Sequence, residues 1–378
     1  MDEYKSIGGY VSTNRHRFEN YPFQFLWVFL SGKEIINRKR FFKPSSITHL
    51  WTAFIYLAVG AIGVAVFLES KNIVYLLLSQ LFIVGGSRYM ITTNMHMMSH
   101  GVFFNKKKID FIFCEVLTTV FFVQSCQNYR ADHLNHHGKS FGSTEDGDAQ
   151  QVVDLGFVSG KSKAQLWLHL LVLCVSPLFH FQSLKSRFID NFWLCSNTRK
   201  VMSVSWLLIL GIGADYIGFE WLFWAYLFPV LFLCQIATLL QLICEHIWIS
   251  TTLTPKQCHV QLTNGRYCGT EFPSTKSWTP LFLFDCCIWL LRNILIELPI
   301  RIAVFQGTVP SHDWHHQFCG SRKWPDSAML REEHIQKQLA EKGVSTYTEI
   351  WGTIEIIDNV FTHISQSIAY PEKPCGIN

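Results

Sequence analysis

Charged side chains are scarce in this chain of 378 residues. Asp, Glu, Lys and Arg together make up 16% of it, whereas about 25% is usual in a soluble domain. The deficit is concentrated in long uncharged runs, and 49% of all residues are hydrophobic. The formal net charge of +4 is too small and too dispersed to indicate a nucleic-acid partner. The composition therefore predicts an integral membrane protein.

Targeting and glycosylation signals are also missing. Residues 1–20 are polar and charged, so we expect no cleavable signal peptide. No Asn-x-Ser/Thr sequon occurs, which disfavours a glycosylated protein of the secretory pathway. The bacterial inner membrane and the endoplasmic reticulum both remain open as locations.

The 12 cysteines do not show the spacing of a small disulfide-rich domain. We therefore expect reduced thiols, most of them buried and facing a reducing compartment. Cys258 and Cys268 flank a predicted hairpin at Asn264-Gly265, and His259 lies beside the first of them. A zinc site there stays open as an alternative, although a fourth ligand is missing.

Four uncharged stretches approach the roughly 20 residues that a crossing helix needs. Only three residues separate the first two stretches and six the last two, which predicts two hairpins across the bilayer. The stretches are 50–68, 72–87, 201–214 and 221–244. The second extends past Arg88 toward His96.

A further apolar stretch, 164–184, is ambiguous. A single crossing here would put the basic residues around 38–43 and those around 185–200 on opposite sides, against the positive-inside rule. We therefore place it in the membrane interface or in a re-entrant segment. Stretches 111–125 and 278–305 carry charges within apolar helices and are also predicted to be interfacial.

The fold class that follows is an all-α membrane protein. It has four transmembrane helices in two hairpins, interfacial helices and a cytoplasmic cap that carries histidines. Both termini and the segment 95–200 fall on the basic, cytoplasmic side. We divide the chain into an N-terminal segment (1–48), a membrane domain (49–320) and a C-terminal region (321–378). The last is expected to cap the site or to meet a partner.

Nine of the 16 histidines form a pattern at the cytoplasmic ends of the predicted helices. Spacings of three and four residues put side chains on one face of a helix. Nine imidazoles supply four or five ligands to each of two metal ions, and imidazole suits iron, zinc, copper and nickel. The pattern is His96-Met-Met-Ser-His100, His133-Leu-Asn-His136-His137, His246 and His312-Asp-Trp-His315-His316.

Other classes explain the pattern less well. A membrane zinc hydrolase needs about three protein ligands for each catalytic zinc. Nine histidines are more than such a site uses. A haem protein for electron transfer would place paired histidines inside the apolar runs, facing one another. A non-enzymatic scaffold would not need every histidine of the pattern.

The order and spacing of the clusters resemble the three histidine boxes of the membrane fatty acid desaturase superfamily, over residues of about 45–320. Members of that family use two non-haem irons, dioxygen and electrons from an external donor. The resemblance implies a desaturase that introduces a double bond into a lipid-, CoA- or carrier-linked acyl chain, or else a hydroxylase or ketolase. Iron ligands implied by it are His96, His100, His133, His136, His137, His312, His315 and His316. His246 matches the extra helix-end histidine of acyl-CoA desaturases.

The chain departs from that family at three places. Met97 stands where the first box often has an acid, and Leu242 stands where acyl-CoA desaturases have an asparagine that holds a metal-bound water. No haem domain with an HPGG signature is present, so the resemblance implies a separate donor of ferredoxin or cytochrome b5 type.

Acids beside the boxes are candidates for orienting the ligands. Carboxylates near metal-bound imidazoles fix the tautomer and the orientation of the ring. We expect Asp132, Glu245 and Asp313, each adjacent to a box histidine, to do this. The acidic stretch 142–150 after the second box is either a solvated loop or a segment that contacts a head group or orders that box.

Overall fold

The computed structural model describes residues 23–36, 40, 42–249, 253–273 and 279–367. Regular structure in this part is almost entirely helical. The helices up to the first strand are α1 (Gln24–Ser31), α2 (Ser46–Ser70), α3 (Ile73–His100), α4 (Lys107–Val120), α5 (Cys126–His136), α6 (Gly147–Asp154), α7 (Lys163–Val175), α8 (Pro177–Phe192), α9 (Asn197–Ile217), α10 (Phe219–Glu245) and α11 (Pro255–Gln261). After them come β1 (Gly265–Tyr267), α12 (280–303), α13 (His312–Gln317), α14 (Ser327–Lys342), β2 (Glu349–Trp351) and α15 (Thr353–Gln366).

Four helices of the described part are long and apolar enough to cross a membrane, namely α2, α3, α9 and α10. They confirm the four predicted crossings and the all-α membrane fold. Lys71, with φ 55°, ends α2, and Gly218, with φ 89°, separates α9 from α10. Helix α3 continues past Arg88 to His100, so one continuous helix carries the first histidine box out of its apolar segment.

Helices α2 and α3 pack backbone to backbone through glycines. A Cβ on Gly60 would lie 2.4 Å from Ile83 Cγ1, and one on Gly86 would lie 2.7 Å from Leu57 Cγ. Small residues let membrane helices approach closely, where there is no hydrophobic driving force between them. This contact fixes the position of α3 and therefore of the box at its end.

The ambiguous stretch 164–184 forms two helices, α7 and α8. They are bent by 64° at the break between Val175 and Pro177. Their lengths of 13 and 16 residues are each below the roughly 20 that a straight crossing needs. The bend is that of a broken span or a re-entrant loop, so an interfacial or re-entrant position stays a prediction.

The predicted hairpin at Asn264-Gly265 is wrong. Strand β1 instead pairs in parallel with β2, which places Gly265 opposite Glu349. A Cβ on Gly265 would lie 2.6 Å from Arg331 Nη2, so the glycine serves a close approach rather than a turn. The strand pair ties the C-terminal region to the chain between α11 and α12.

The cysteines also differ from expectation. Cys114 and Cys126 form a disulfide between α4 and the start of α5, so the expectation of reduced thiols is wrong for this pair. Cys258 packs with Phe141 and Leu262, whereas Cys268 lies in the main core with Cys244 among its neighbours. The alternative zinc site between Cys258 and Cys268 is therefore not formed.

Candidate metal centre

All nine histidines of the sequence pattern meet at one end of the helices. His96 and His100 come from the last turn of α3, which ends at Gly101 in the left-handed conformation with φ 74°. The second box lies on α5 and the third on α13. His246 follows α10 in extended backbone, with φ −142° and ψ 169°.

Five of the rings point their Nε2 atoms at one place. The separations are 2.8 Å for His96 and His315, 3.0 Å for His133 and His137, 3.1 Å for His133 and His100, and 3.2 Å for both His133 and His96 and His315 and His100. A metal–nitrogen bond of about 2.1 Å puts ligands at right angles about 3 Å apart. The donor set therefore fits one cation with five imidazole ligands.

The other four rings form a second group. His136 Nε2 lies 3.1 Å from His246 Nε2, and His312 Nε2 lies 3.1 Å from His316 Nε2. Glu245 Oε1 lies 3.0 Å from His312 Nε2, on the side of the ring that faces the group. The ligand atoms of His136, His246 and His316 lie within 4.8 Å of one another, and so do those of Glu245, His246 and His312. The two triads share His246, and together they fit a second cation.

Burial keeps four of the nine rings neutral. It lowers the pKa of His133, His137, His315 and His316 well below the ordinary histidine value, and the neighbouring imidazoles lower it further. A neutral imidazole is the form that binds a metal ion. These four ligands therefore need no deprotonation near neutral pH.

The fatty acid desaturase family model matches residues 71–285, more than half of the chain. The chain belongs to the fatty acid desaturase family. The family is one of membrane oxidoreductases of desaturase and hydroxylase type. No curated protein sequence matches the chain.

The family match ends before the third box. It includes His96, His100, the second box and His246, whereas 312–316 lies outside it. In this desaturase-family chain the fold itself adds the third box to the site. Helix α13 brings His315 to the first group, and His312 and His316 to the second.

A carboxylate of the acidic stretch 142–150 orients a box histidine, which agrees with the second of the two alternatives for that stretch. His136 Nδ1 lies 3.0 Å from both Asp146 oxygens and 3.5 Å from Asp148 Oδ2. Burial lowers the pKa of His136, but the Asp146 hydrogen bond and the Asp148 charge outweigh it and raise the pKa to about 9. Asp146 also caps α6 by accepting from Asp148 N. A proton held at Nδ1 leaves Nε2 free for a metal.

A tenth histidine touches the site. His259 Nδ1 lies 3.0 Å from His316 Nδ1, the nitrogen that faces away from the second group. No pattern in the sequence indicated this contact, since 57 residues separate the two rings. His259 thus supports the ring of His316 from outside.

The three predicted orienting acids have other partners in the described residues. Asp132 is exposed and accepts from Gln124 Nε2 at 2.8 Å. Asp313 is buried and accepts from Arg331 Nε at 2.8 and 2.9 Å. Adjacent residues on a helix point in different directions, so an acid next to a ligand does not reach its ring. Glu245 does approach His312, but on the metal-facing side.

Box three is anchored by a buried charge network. Arg331 on α14 is fully buried and contacts Asp313, Glu332 and Glu349. Lys33 joins the same two glutamates from the segment after α1. The C-terminal region therefore fixes the helix that presents three of the nine histidines.

A cavity of about 630 Å³ opens beside the histidines. His96 and His133 of the first group and Glu245 of the second line it, together with apolar side chains such as Ile91 and Leu242. The cavity therefore borders residues of both groups.

Proposed function

We propose that the protein is a membrane di-iron, O2-dependent fatty acid desaturase that introduces a double bond into an acyl chain. The observation that carries the proposal is the division of nine converging histidines into a group of five and a group of four. The family match supports it, because the family is one of desaturase-type oxidoreductases.

Iron fits these two groups better than zinc does. Protein zinc sites are almost always tetrahedral, with about four ligands. The first group offers five imidazoles within 4.8 Å of one another, and the second adds Glu245 to its imidazoles. When bound, the two irons would use dioxygen and electrons to remove hydrogen from an unactivated methylene, for which no side chain has sufficient oxidising power.

The chain's own residues would position the metals and the substrate. Asp146 holds the proton of His136 at Nδ1, and His259 supports His316. The buried rings exclude bulk water from the reacting carbon, which limits side reactions. The cavity beside His96 and His133 would orient the acyl chain.

The electron donor is proposed to be a separate protein of ferredoxin or cytochrome b5 type. The exposed lysines Lys106, Lys107 and Lys108 follow the first box, at the end of α3 that carries the site. By the positive-inside rule this end faces the cytoplasm. The substrate is proposed to be a lipid or an acyl thioester, and the location to be the bacterial inner membrane or the endoplasmic reticulum.

Lipid analysis of expressing cells tests the function. Mass spectrometry is carried out on lipids and carrier-bound acyl chains from cells with the wild type or with His315→Ala. The proposal expects acyl chains that have lost two hydrogens only with the wild type. Chains that have gained an oxygen would identify a hydroxylase instead, and identical profiles would contradict both activities.

A further inference from the structure

Arg88 carries an unneutralised charge in the middle of the candidate span α3. Its side chain is buried, with 4% of the residue exposed. Nη1 donates to Thr238 Oγ1 over 2.6 Å, and Nη2 donates to Gln241 Oε1. Both acceptors are neutral and belong to α10. Within the described residues, Nε has no partner and no carboxylate forms an ion pair with Arg88.

Arg187 on α8 faces the same cavity. Its Nη1 donates to Val230 O over 3.1 Å, and it too has no ion pair with a described carboxylate. A guanidinium has five N–H donors. Arg88 uses two of them on protein acceptors and Arg187 uses one, so most of the donors are left for another group.

The cavity joins these arginines to the metal centre. Helix α3 lines it with residues 88, 91, 92, 95 and 96, the spacing of one helical face. Arg88 and His96 lie eight residues apart on this face, about two helical turns. A molecule in the cavity could therefore contact the arginines and the histidines at once.

The acids that line the cavity do not neutralise the arginines. Asp148 contacts His136 and Glu245 contacts His312, so these two lie at the metal end, whereas Asp132 accepts from Gln124. Asp190, one helical turn from Arg187, forms no ion pair with it in the described structure. None of the four acids that line the cavity therefore forms an ion pair with either arginine.

A charge kept inside a membrane span is costly and marks a ligand or ion site far more often than a packing role. Guanidinium groups match carboxylate and phosphate in a planar, two-pronged geometry. Arg88 has the free Nε and unused Nη hydrogens that such a contact needs.

We propose that Arg88 and Arg187 bind the anionic end of an amphipathic lipid substrate, a carboxylate or a phosphate, while its chain extends toward the histidine groups. This inference rests on the proposed function and narrows its substrate class. An acyl thioester is disfavoured because it has no charge at its carbonyl for the arginines to bind. The oxidised carbon then lies at a set distance from the anionic group.

A binding experiment without turnover tests this. Full-length protein with its bound metal is purified without an electron donor and titrated with palmitate, hexadecyl phosphate and methyl palmitate. Charge-assisted hydrogen bonds should make at least one anion bind about tenfold or more tightly than the uncharged ester. Comparison of the two anions distinguishes a carboxylate from a phosphate.

Variants show whether the arginines cause the preference. Arg88→Met and Arg187→Met should each reduce it, whereas Arg88→Lys and Thr238→Val, which keep the positive charge, should retain it. Both methionine substitutions leave the nine histidines in place, and unchanged metal content shows that the variants fold.

Two results would overturn the inference: equal affinity of the wild type for methyl palmitate and for both anions, or an anion preference that survives both methionine substitutions. Either result leaves the lipid analysis above to decide the proposed function by itself. An anion preference in a protein whose expression changes no lipid would refute the proposed function and leave the anion site in place.

Discussion

His136 Nδ1 lies 3.0 Å from both carboxylate oxygens of Asp146, and the same ring places Nε2 3.1 Å from His246. Asp146, a buried acid ten residues away in sequence, therefore sets the orientation of the His136 ring. This ring extends from α5 toward His246 at the end of α10.

Asp146→Asn should weaken metal binding. An amide loses the charge that holds the proton on His136 Nδ1, and loss of such a partner reduces metal affinity by about 10–100-fold. Asp132→Asn is a matched control, because Asp132 is also next to a box but is exposed and bound to Gln124. The measurement is iron retained against a graded chelator. Equal retention by the two variants would refute the role of Asp146.

Glu245→Gln should lower the iron content from about two toward one per chain. The carboxylate faces the second group, 3.0 Å from His312 Nε2, and a neutral amide is a weaker ligand for iron than a carboxylate. Leu242→Asn in the same variant adds the amide that acyl-CoA desaturases have there, and should restore part of the content.

Mössbauer spectra of the Glu245→Gln protein add a readout that does not depend on activity. We expect one of the two iron signals to be lost or shifted while the other stays. Two unchanged signals would place Glu245 outside the metal site.

Asp313→Asn should destabilise the third box. The substitution removes the charged partner of Arg331 from a fully buried network. Breaking a buried ion pair lowers the free energy of unfolding by about 3–5 kcal/mol. As a control, Lys337→Met breaks an exposed ion pair with Glu341 on α14. Loss of such a surface pair usually costs about 0.5 kcal/mol of stability. Thermal midpoints in detergent and iron content are measured together, and a shift no larger than the control's would refute the anchoring role.

Gly86→Ala should destabilise the α2–α3 hairpin. Its Cβ would lie 2.7 Å from Leu57 Cγ, and overpacking of this kind costs about 1–3 kcal/mol. Gly213→Ala on α9 is the control, because no atom lies within 4 Å of the added Cβ. The thermal midpoint should fall only for Gly86→Ala. A fall of similar size in both variants would mean that helix propensity or detergent contacts, not packing, decide the result.

The sequence predicted those features that depend on local periodicity. Uncharged runs indicated the four spans, and intervals of three and four residues indicated which histidines share a helical face. Both predictions depend only on the residues of a single helix. The structure also brings His96 and His315 together, as convergence of the boxes requires.

Contacts between distant elements were beyond the sequence. Adjacency to a ligand suggested Asp132 and Asp313, but neighbours on a helix point apart. Asp146 reaches His136 only because the chain turns back into α6, and His259 meets His316 only because α11 packs on α13. The Asn264-Gly265 pair has the composition of a turn, yet tertiary pairing with β2 determines its structure.

Metal content of the purified protein tests the central claim most directly. We predict about two irons per chain in the wild type. His133→Ala should remove the iron of the five-histidine group, and His246→Ala should weaken the iron of the other group. One zinc ion or more per chain with no iron, or iron that persists in both variants, would contradict a di-iron centre built from these histidines.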